Sequence, residues 1–347
     1  MEMTFRWYGE RDAVTLSKIR QIPGVTGIVS ALYDVPVGDA WPSDSLERLA
    51  ATIDAAGLRF SVVESIPVHE DIKLGRPTRD RLCDAYAESI RNMGAVGVHV
   101  LCYNFMPVFD WMRTDLAMRL RDGSTTLAFS DAALSSIDLS RGTGDLPGWA
   151  AAYSGKELAA LLDAYRSVNG ERLWEHLAYF LERVVPVAEE HGVRMAIHPD
   201  DPPWSIFGLP RIITGHASLE RLVSLVDRLA NGITFCTGSL GSSRDNDLPS
   251  MAARFADRIH FAHCRNVRID GPGAFHEVPH PSLFGDVNMA AVLAALRDNG
   301  FDGPIRPDHG RMIWGETGRP GYGLHDRALG AMYLQGLWEG LSATARS

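Results

Sequence analysis

Four residues whose side chains can bind a metal ion each follow a short apolar run in this sequence: His198, Cys236, His263 and Asp308. The runs read VRMAIHPDD, GITFCTG, IHFAHCRN and PIRPDHG, and each predicts a buried β-strand. In a closed parallel barrel the carboxyl ends of such strands meet at one rim. Two imidazoles, a thiolate and a carboxylate would form a divalent metal site with open positions for a substrate. Zn, Fe and Mn all suit this mixed ligand set, so its composition does not select the ion.

The alternative is that these side chains are structural. A single histidine at a strand end is more often a hydrogen-bonding residue than a metal ligand. Cys236 could be a buried apolar thiol, and His263 could pack against the sheet. Four ligand-type residues at the ends of strands five to eight favour the metal site over this alternative.

A second group of polar residues lies in the segment RPDHGR and in the glycine-rich loop after it. With Asp308 turned to the metal, His309 would be left to titrate near neutral pH. Arg306 or Arg311 could bind a carboxylate through a bidentate guanidinium. Tyr322 stands between two glycines and could exchange a proton with a substrate. The alternatives are a polar turn with internal ion pairs and an ordinary loop tyrosine.

Polar and aromatic residues also end strands in the first half of the chain. Trp7 and Asn104 end the first and fourth predicted strands, and His69 follows the third in a loop. These side chains could bind the hydroxyl groups of a polyol. Each of them is also readily explained as a structural hydrogen-bonding residue.

The bulk composition narrows the class of protein. The chain has 347 residues with 46% hydrophobic content, enough for one large domain or two ordinary ones. A net charge of −9 and a pI near 5.7 argue against nucleic-acid binding, which needs a basic face. The charged N-terminal stretch is unlike a signal peptide, and the lack of any apolar run of 18 or more residues predicts no transmembrane helix. Four scattered cysteines without a CxxC spacing suit a reducing cytoplasm.

The chain alternates apolar runs with amphipathic helical patterns, which predicts a parallel sheet built from βαβ units. Eight predicted strands favour a (β/α)8 TIM barrel. A doubly wound open sheet is the alternative, but no GxGxxG follows the first strand. The predicted strands are Met3–Tyr8, Val25–Ala31, Arg59–Ser65, Val98–Asn104, Val193–His198, Ile233–Thr237, Ile259–Arg265 and Ile305–Asp308. The predicted helices are Ser43–Ala56, Thr78–Met93, Gly155–Ser167, Arg172–His191, Leu219–Ala230, Leu248–Ala256, Val287–Asn299 and Leu324–Glu339.

Two stretches, at about 105–155 and 266–286, interrupt this alternation. Apart from the helix at the end of the first, both contain Pro and Gly without a clear period. Since both follow strands, both would lie on the C-terminal face as insertions that cover the active site. We therefore expect residues 1–347 to form a single barrel domain with two insertions.

Taken together, these residues resemble the mannonate dehydratase family of hexuronate degradation. The resemblance extends over nearly the whole chain. It is carried by MEMTFRWYG, PVHEDIKLG, NFMPVFDWMRTDLA, LWEHLAYFLERVVPVAEEHGVRMAIHPDDPPWSIFGLPRI, FCTGSLGSSRDNDLP, RIHFAHCRN, FHEV and GFDGPIRPDHGRMIWGE. The chain departs from the family pattern at residues 280–286, which are longer than the usual run, and at Cys264, where a larger apolar residue is expected.

The resemblance implies a xylose-isomerase-like barrel that converts D-mannonate to 2-dehydro-3-deoxy-D-gluconate and water with Mn²⁺ or Fe²⁺. It implies that His198, Cys236, His263 and Asp308 are the metal ligands. It also implies catalytic roles for His309 and Tyr322. The altered 280–286 stretch would lie in an active-site loop and touch the substrate contacts but not the metal ligands.

Three other functions compete with this interpretation. A metal-dependent sugar isomerase or epimerase on the same barrel would need a similar metal and proton-transfer pair. A non-catalytic sugar-acid binding protein would bind without turnover, and a DNA-repair endonuclease is disfavoured by the acidic charge. An apolar patch on the barrel exterior could support a homodimer, but the sequence pattern does not locate it.

Overall fold

A closed barrel of eight parallel β-strands forms the centre of the molecule. The computed structural model describes residues 1–139 and 153–344. Around the barrel the strand order is β1-β12-β9-β8-β7-β4-β3-β2. The prediction of a (β/α)8 barrel is therefore confirmed. The barrel strands are β1 (Glu2–Arg6), β2 (Val25–Ser30), β3 (Arg59–Glu64), β4 (Val100–Tyr103), β7 (Arg194–Ile197), β8 (Asn231–Cys236), β9 (Ile259–His263) and β12 (Pro304–Arg306).

Helices alternate with these strands, and the eight predicted helices all occur with shifted ends. Two helix ends differ most from the prediction: the helix that begins at His216 ends at Leu225 and not at Ala230, and the last helix ends at Thr344 and not at Glu339. Four short helices, α1, α3, α5 and α9, were not predicted. The helices are α1 (Leu16–Arg20), α2 (Ser43–Ala55), α3 (Glu70–Lys73), α4 (Arg79–Ala95), α5 (Asp131–Leu134), α6 (Gly155–Tyr165), α7 (Gly170–Glu190), α8 (His216–Leu225), α9 (Thr237–Leu240), α10 (Leu248–Arg254), α11 (Met289–Asp298) and α12 (His325–Thr344).

The core has two layers because side chains alternate along each strand. A small inner cluster fills the barrel, and a larger outer cluster packs between the strands and the surrounding helices. None of the helices in the described ranges has the length and apolar character needed to cross a bilayer. The inner cluster consists of Val29, Val62, Cys102, Ala196 and Phe261.

The two stretches that interrupt the alternation combine into one additional antiparallel sheet. Its order is β10-β11-β6-β5. The insertions pair with each other through β11 and β6, where Phe275 lies opposite Phe129. Because the apolar residues show no clear period in these stretches, the sequence predicted no strands there. The additional sheet is therefore a finding of the structure. Its strands are β5 (Asp115–Arg119), β6 (Thr125–Ser130), β10 (Asn266–Gly271) and β11 (Ala274–Val278).

Candidate active site

Side chains two residues apart on a β-strand face the same side, and this alternation places the predicted metal ligands inside the mouth of the barrel. Ala196 and Phe261 belong to the inner cluster. His198 and His263 stand two residues further along the same strand directions, so they face the same side. The Phe261 and His263 rings are 4.6 Å apart in an edge-to-face contact. The strand ends therefore converge at this rim, as the sequence pattern predicts.

Three of the four candidate ligands form a tight cluster. His198, Cys236 and His263 each offer a ligand atom, and these atoms all lie within 4.8 Å of one another. Asp308 adjoins them: its Oδ2 is 3.7 Å from the Cys236 Sγ and its Oδ1 is 3.6 Å from the His263 Nδ1. Asp308 reaches this position from a left-handed backbone conformation with φ of 62°, which Asp tolerates better than most residues.

The chemistry of this donor set fits a divalent metal ion. Ligand atoms within 4.8 Å of one another can share one ion at metal–ligand distances of about 2.0–2.3 Å. The His198 Nδ1 donates to the Pro199 carbonyl at 2.6 Å, which leaves Nε2 as the free electron-pair donor. Burial lowers the pKa of His198, although nearby carboxylates oppose this, so the ring favours its neutral, metal-binding form. The Cys236 Sγ accepts a hydrogen bond from the Ser239 backbone N–H at 3.4 Å, which holds the side chain in position.

Two arginines hold the Asp308 carboxylate in its ionised form. Arg306 Nη2 lies 2.8 Å from Oδ1, and Arg265 Nη1 lies 3.0 Å from Oδ2. Burial alone would raise the pKa of Asp308. The neighbouring His309, Arg306 and Arg265 instead hold the pKa well below its usual range.

A second ligand-type group, Glu64, Cys102 and His263, lies deeper and is explained without a metal. Arg306 Nη2 donates to the Glu64 Oε1 at 2.9 Å, and Arg6 Nη1 lies 3.3 Å from Oε2. These guanidinium groups already supply positive charge to the carboxylate. Burial raises the pKa of Cys102 well above its usual range, so its side chain remains a thiol.

His309 and Tyr322 form a hydrogen-bonded pair beside Asp308. The His309 Nε2 and the Tyr322 hydroxyl are 2.9 Å apart, and both residues are buried. The Trp111 ring lies 5.1 Å from the His309 ring, and Tyr8 packs edge-on against Tyr322 at 4.9 Å. Burial raises the pKa of Tyr322, although Arg306 opposes this, so the phenol retains its proton at neutral pH. The pair can therefore exchange protons with a molecule in the barrel mouth.

Behind His309 lies a buried network of four charged residues that was not predicted from the sequence. Arg113 binds Asp201 with two hydrogen bonds, of 2.9 and 3.1 Å, and donates to Glu277 at 2.7 Å. Arg265 donates to Asp201 at 2.6 Å. The side chains of all four are no more than 3% exposed. Arg113 and Glu277 come from the two insertions, so both insertions contribute to the site.

The structure brings Arg306 to the site but not Arg311. Arg306 donates from Nε to His263 at 3.0 Å and from Nη2 to Glu64, and only its Nη1 lacks a hydrogen-bond partner among the described residues. It therefore offers one donor and not a bidentate fork. The Arg311 guanidinium is bound to Asp326 and Asp122, each at 2.8 Å.

The other predicted substrate-binding residues have different positions. Asn104 stands two residues beyond Cys102 of the inner cluster, so it lies at the rim, where its Oδ1 accepts from the Met106 N–H at 3.2 Å. Trp7 instead packs in the outer core and is 3% exposed. The His69 Nδ1 accepts from the Asp71 N–H at 3.0 Å and caps α3. The structure thus brings Asn104 to the site but gives Trp7 and His69 structural contacts.

The altered 280–286 stretch lies on the surface. Leu283 is 85% exposed, and Phe284 lines an open cavity of about 840 Å³ together with Arg311. None of the candidate metal ligands lines this cavity. Unlike the exposed residues of this stretch, His280 is buried, and its Nε2 donates to the Pro307 carbonyl at 2.7 Å. Within the described part of the chain, the stretch is linked to the site through this hydrogen bond to the backbone before Asp308.

Comparisons with known proteins show the family to which the chain belongs. A family model described as D-mannonate dehydratase (UxuA) matches residues 1–347. A mannonate dehydratase of Streptococcus uberis is 56% identical over 348 residues, covering 100% of both chains. Mannonate dehydratase 2 of Halalkalibacterium halodurans is 54% identical, covering 99% of this chain and 100% of the relative.

Solved structures give the same result. The mannonate dehydratase of Streptococcus suis serotype 2 superposes with a TM-score of 0.93 at 50% identity, covering 99% of this chain and 96% of that one. A xylose isomerase domain protein of Planctomyces limnophilus has a TM-score of 0.55 at 15% identity and covers 99% of each chain, which supports the fold alone. With a matching family model over its full length and relatives above half identity, this chain belongs to the D-mannonate dehydratase family.

Proposed function

We propose that this chain is a metal-dependent lyase that converts D-mannonate to 2-dehydro-3-deoxy-D-gluconate and water. One observation carries the proposal beyond family membership. A metal-binding cluster and a proton-exchanging pair, His309 and Tyr322, lie in the same barrel mouth, joined through Asp308. A dehydration needs both kinds of group at one place.

In this proposal His198, Cys236, His263 and Asp308 hold Mn²⁺ or Fe²⁺. The mixed nitrogen, sulfur and oxygen donors suit either ion. When bound, the ion supplies positive charge that stabilises the negative charge developing on the substrate.

The reaction removes the proton on C2 and the hydroxyl group on C3 of the sugar acid. The C2 proton is weakly acidic, and the adjacent carboxylate makes its removal harder because the enolate carries additional negative charge. Hydroxide is a poor leaving group and needs a proton. His309 and Tyr322 share the roles of base and acid, and their hydrogen bond allows a proton to pass between them.

Several buried polar atoms near the metal cluster support binding of a polar substrate. Arg6 Nε and Arg306 Nη1 have no hydrogen-bond partner among the described residues. Glu64 Oε2 accepts no hydrogen bond there either, although Arg6 lies 3.3 Å and His263 3.4 Å from it. Buried groups of this kind are costly unless something binds them. We propose that they and Asn104 bind the carboxylate and hydroxyl groups of the sugar acid. Trp7, His69 and Arg311 then support the site from a distance.

We also propose a cytoplasmic location, supported by four free, buried cysteines. A homodimer remains a prediction, and measuring the molar mass in solution would test it. Exposed apolar side chains near the open cavity, including Leu283, Phe284 and Leu329, offer a surface for such a contact.

The decisive experiment follows 2-keto acid formation from D-mannonate by metal-stripped protein, with and without added Mn²⁺. Keto acid that forms only with metal supports the proposal. An isomerase or epimerase would yield a product of unchanged mass without a keto acid from this substrate, and a binding protein would bind mannonate without turnover. Either result, with the fold intact by circular dichroism, would refute the dehydratase function.

A further inference from the structure

Glu277 connects the second insertion to the candidate catalytic histidine. It lies on β11, and its side chain is 3% exposed. Its Oε1 is 2.9 Å from the His309 Nδ1, on the opposite side of the ring from Tyr322. Glu277, His309 and Tyr322 therefore form a continuous hydrogen-bonded chain.

The geometry decides which ring nitrogen of His309 carries hydrogen. An ionised carboxylate can only accept hydrogen bonds, so the Nδ1 facing it must donate. Arg265 Nη1 also lies 3.1 Å from this nitrogen, but it has a carboxylate acceptor in Asp308 at 3.0 Å. A charge-assisted bond to that carboxylate is stronger than a bond to a neutral ring nitrogen. Nδ1 is thus the donor to Glu277, and Nε2 remains for proton exchange.

The Glu277 carboxylate is itself fixed in place. Arg113 donates to its Oε1 from Nε at 3.1 Å and from Nη2 at 2.7 Å. Burial alone would raise the pKa of Glu277, but the neighbouring His309, Arg265 and Arg113 lower it to about 2. The backbone is also held, because the Thr126 hydroxyl donates to the Glu277 carbonyl at 2.9 Å.

We propose that Glu277 is a positioning residue that holds His309 in the Nδ1–H tautomer and aims its Nε2 at Tyr322 and the substrate. The proposal rests on the roles proposed above for His309 and Tyr322. Arg113, from the first insertion, holds Glu277 in turn. The additional sheet therefore does more than cover the site, because it sets the chemistry of one side chain within it.

The kinetic test is Glu277→Gln in the Mn²⁺-loaded enzyme. An amide has both a donor and an acceptor, so it tolerates either tautomer of His309. We expect kcat to fall roughly 10- to 100-fold, with KM and metal content within about twofold of wild type. If the lost charge prevents folding, Glu277→Asp keeps the charge, withdraws the carboxylate from Nδ1 and should show the same loss of kcat.

Thr126→Val is the matched control. It removes the hydrogen bond to the backbone of Glu277 and leaves the carboxylate in place. If a general loosening of β11 lowered kcat in the Glu277 variants, Thr126→Val would show a lower kcat as well. If the cause is the loss of the carboxylate that positions His309, Thr126→Val keeps that carboxylate and its kcat stays near wild type. A kcat near wild type for Thr126→Val, beside a reduced kcat for the Glu277 variants, supports the proposal.

A second readout does not depend on activity. Two-bond ¹H–¹⁵N correlation spectra of the metal-free protein at pH 8 report which histidine nitrogen carries hydrogen, and His309→Gln identifies the signal. We expect Nδ1–H in wild type and Thr126→Val, and a shift toward Nε2–H in Glu277→Gln. An Nε2–H signal in wild type, or a wild-type kcat in Glu277→Gln, would overturn the proposal. A wild-type kcat in His309→Gln would contradict the proposed function instead, while the spectra would still report whether Glu277 sets the tautomer.

Discussion

His280 Nε2 donates to the Pro307 carbonyl across 2.7 Å and so supports the backbone just before Asp308. Asp308 has a left-handed conformation, with φ of 62°. Such a conformation persists only where the surrounding structure holds it. The His280 ring lies against Gly330 of α12, where a Cβ atom would approach it to 2.4 Å. A helix on the outside of the barrel is therefore in contact with a side chain that supports a candidate metal ligand.

We predict that Gly330→Ala destabilises the protein and weakens metal binding. An alanine in a helix normally stabilises by up to about 1 kcal/mol relative to glycine. Here the added methyl group displaces His280, and overpacking of this kind costs about 1–3 kcal/mol. Gly336→Ala in the same helix is the control, because among the described residues no atom beyond its chain neighbours and the backbone of its own helix lies within 4 Å of the added Cβ. Denaturant unfolding and Mn²⁺ titration of both variants are the measurements, and a gain of stability in both would refute the prediction.

We predict that His309→Gln and Tyr322→Phe each lower turnover by about 10²–10⁴-fold, as expected for positioned acid–base groups. Metal content should remain near wild type, since neither residue is a proposed ligand. Tyr86→Phe serves as a control, because it removes a buried hydroxyl that donates to the Ile66 carbonyl at 3.2 Å. Keto acid formation and metal analysis test the prediction, and unchanged turnover in both site variants would exclude their catalytic roles.

We predict that the Fe²⁺-loaded enzyme loses activity in air and recovers partly with added thiol and Mn²⁺. A metal-bound thiolate is open to oxidation, whereas a protonated thiol reacts slowly. Cys83 provides the comparison, because burial raises its pKa to about 11. Cys83→Ala should leave the rate of inactivation unchanged. Mass spectrometry should locate the oxidation on Cys236, and full resistance to oxidants would argue against Cys236 as a ligand.

We predict that His260 makes stability depend on pH between about 6.5 and 4. Its Nε2 donates to the Leu229 carbonyl at 2.7 Å, and burial lowers its pKa to about 4. Across this window the unfolded chain binds the proton more readily than the folded one. The contribution of neutral, buried His260 to the free energy of unfolding is therefore complete above pH 6.5, declines as the pH falls and is lost by pH 4. Its size is on the order of 3 kcal/mol.

His260→Gln tests this prediction, because the amide keeps a donor near the Leu229 carbonyl but does not titrate. The free energies of unfolding of both proteins should be measured by denaturant at several pH values. As the pH falls from 7 to 4, the free energy of unfolding of the wild type should decrease relative to that of the variant. A constant difference would mean that His260 does not titrate differently in the two states.

The metal cluster could be predicted because its signal is local. Each ligand follows an apolar run, and the period of two fixes the face on which it lies. Glu277 and Arg113 could not be predicted in this way, since their roles depend on pairing between insertions far apart in sequence. A partial signal existed for the first hairpin, where Asp122 and Gly123 form an Asp-Gly turn between two apolar stretches. Nothing local indicates that β6 pairs with β11.

For Arg311 and Trp7 the sequence did suggest a role, but the structure places both side chains away from the site. Residue type and proximity to a strand end suggested contact with substrate for both. The structure places Trp7 just beyond the end of β1, with its side chain in the outer core, and pairs Arg311 with Asp326 and Asp122. A shift of one position along a strand reverses the face on which a side chain lies, so a prediction at a strand end depends on the register.

The pairing of β6 with β11 also has a consequence for the order of folding. Bringing together two segments so far apart in the chain costs loop-closure entropy, and a lone two-stranded hairpin is only marginally stable in water. We therefore expect the four-stranded sheet to assemble after the barrel has brought both segments to the same rim. Glu277 reaches His309 only at that stage, so a partly folded chain that already binds metal would still lack an oriented histidine.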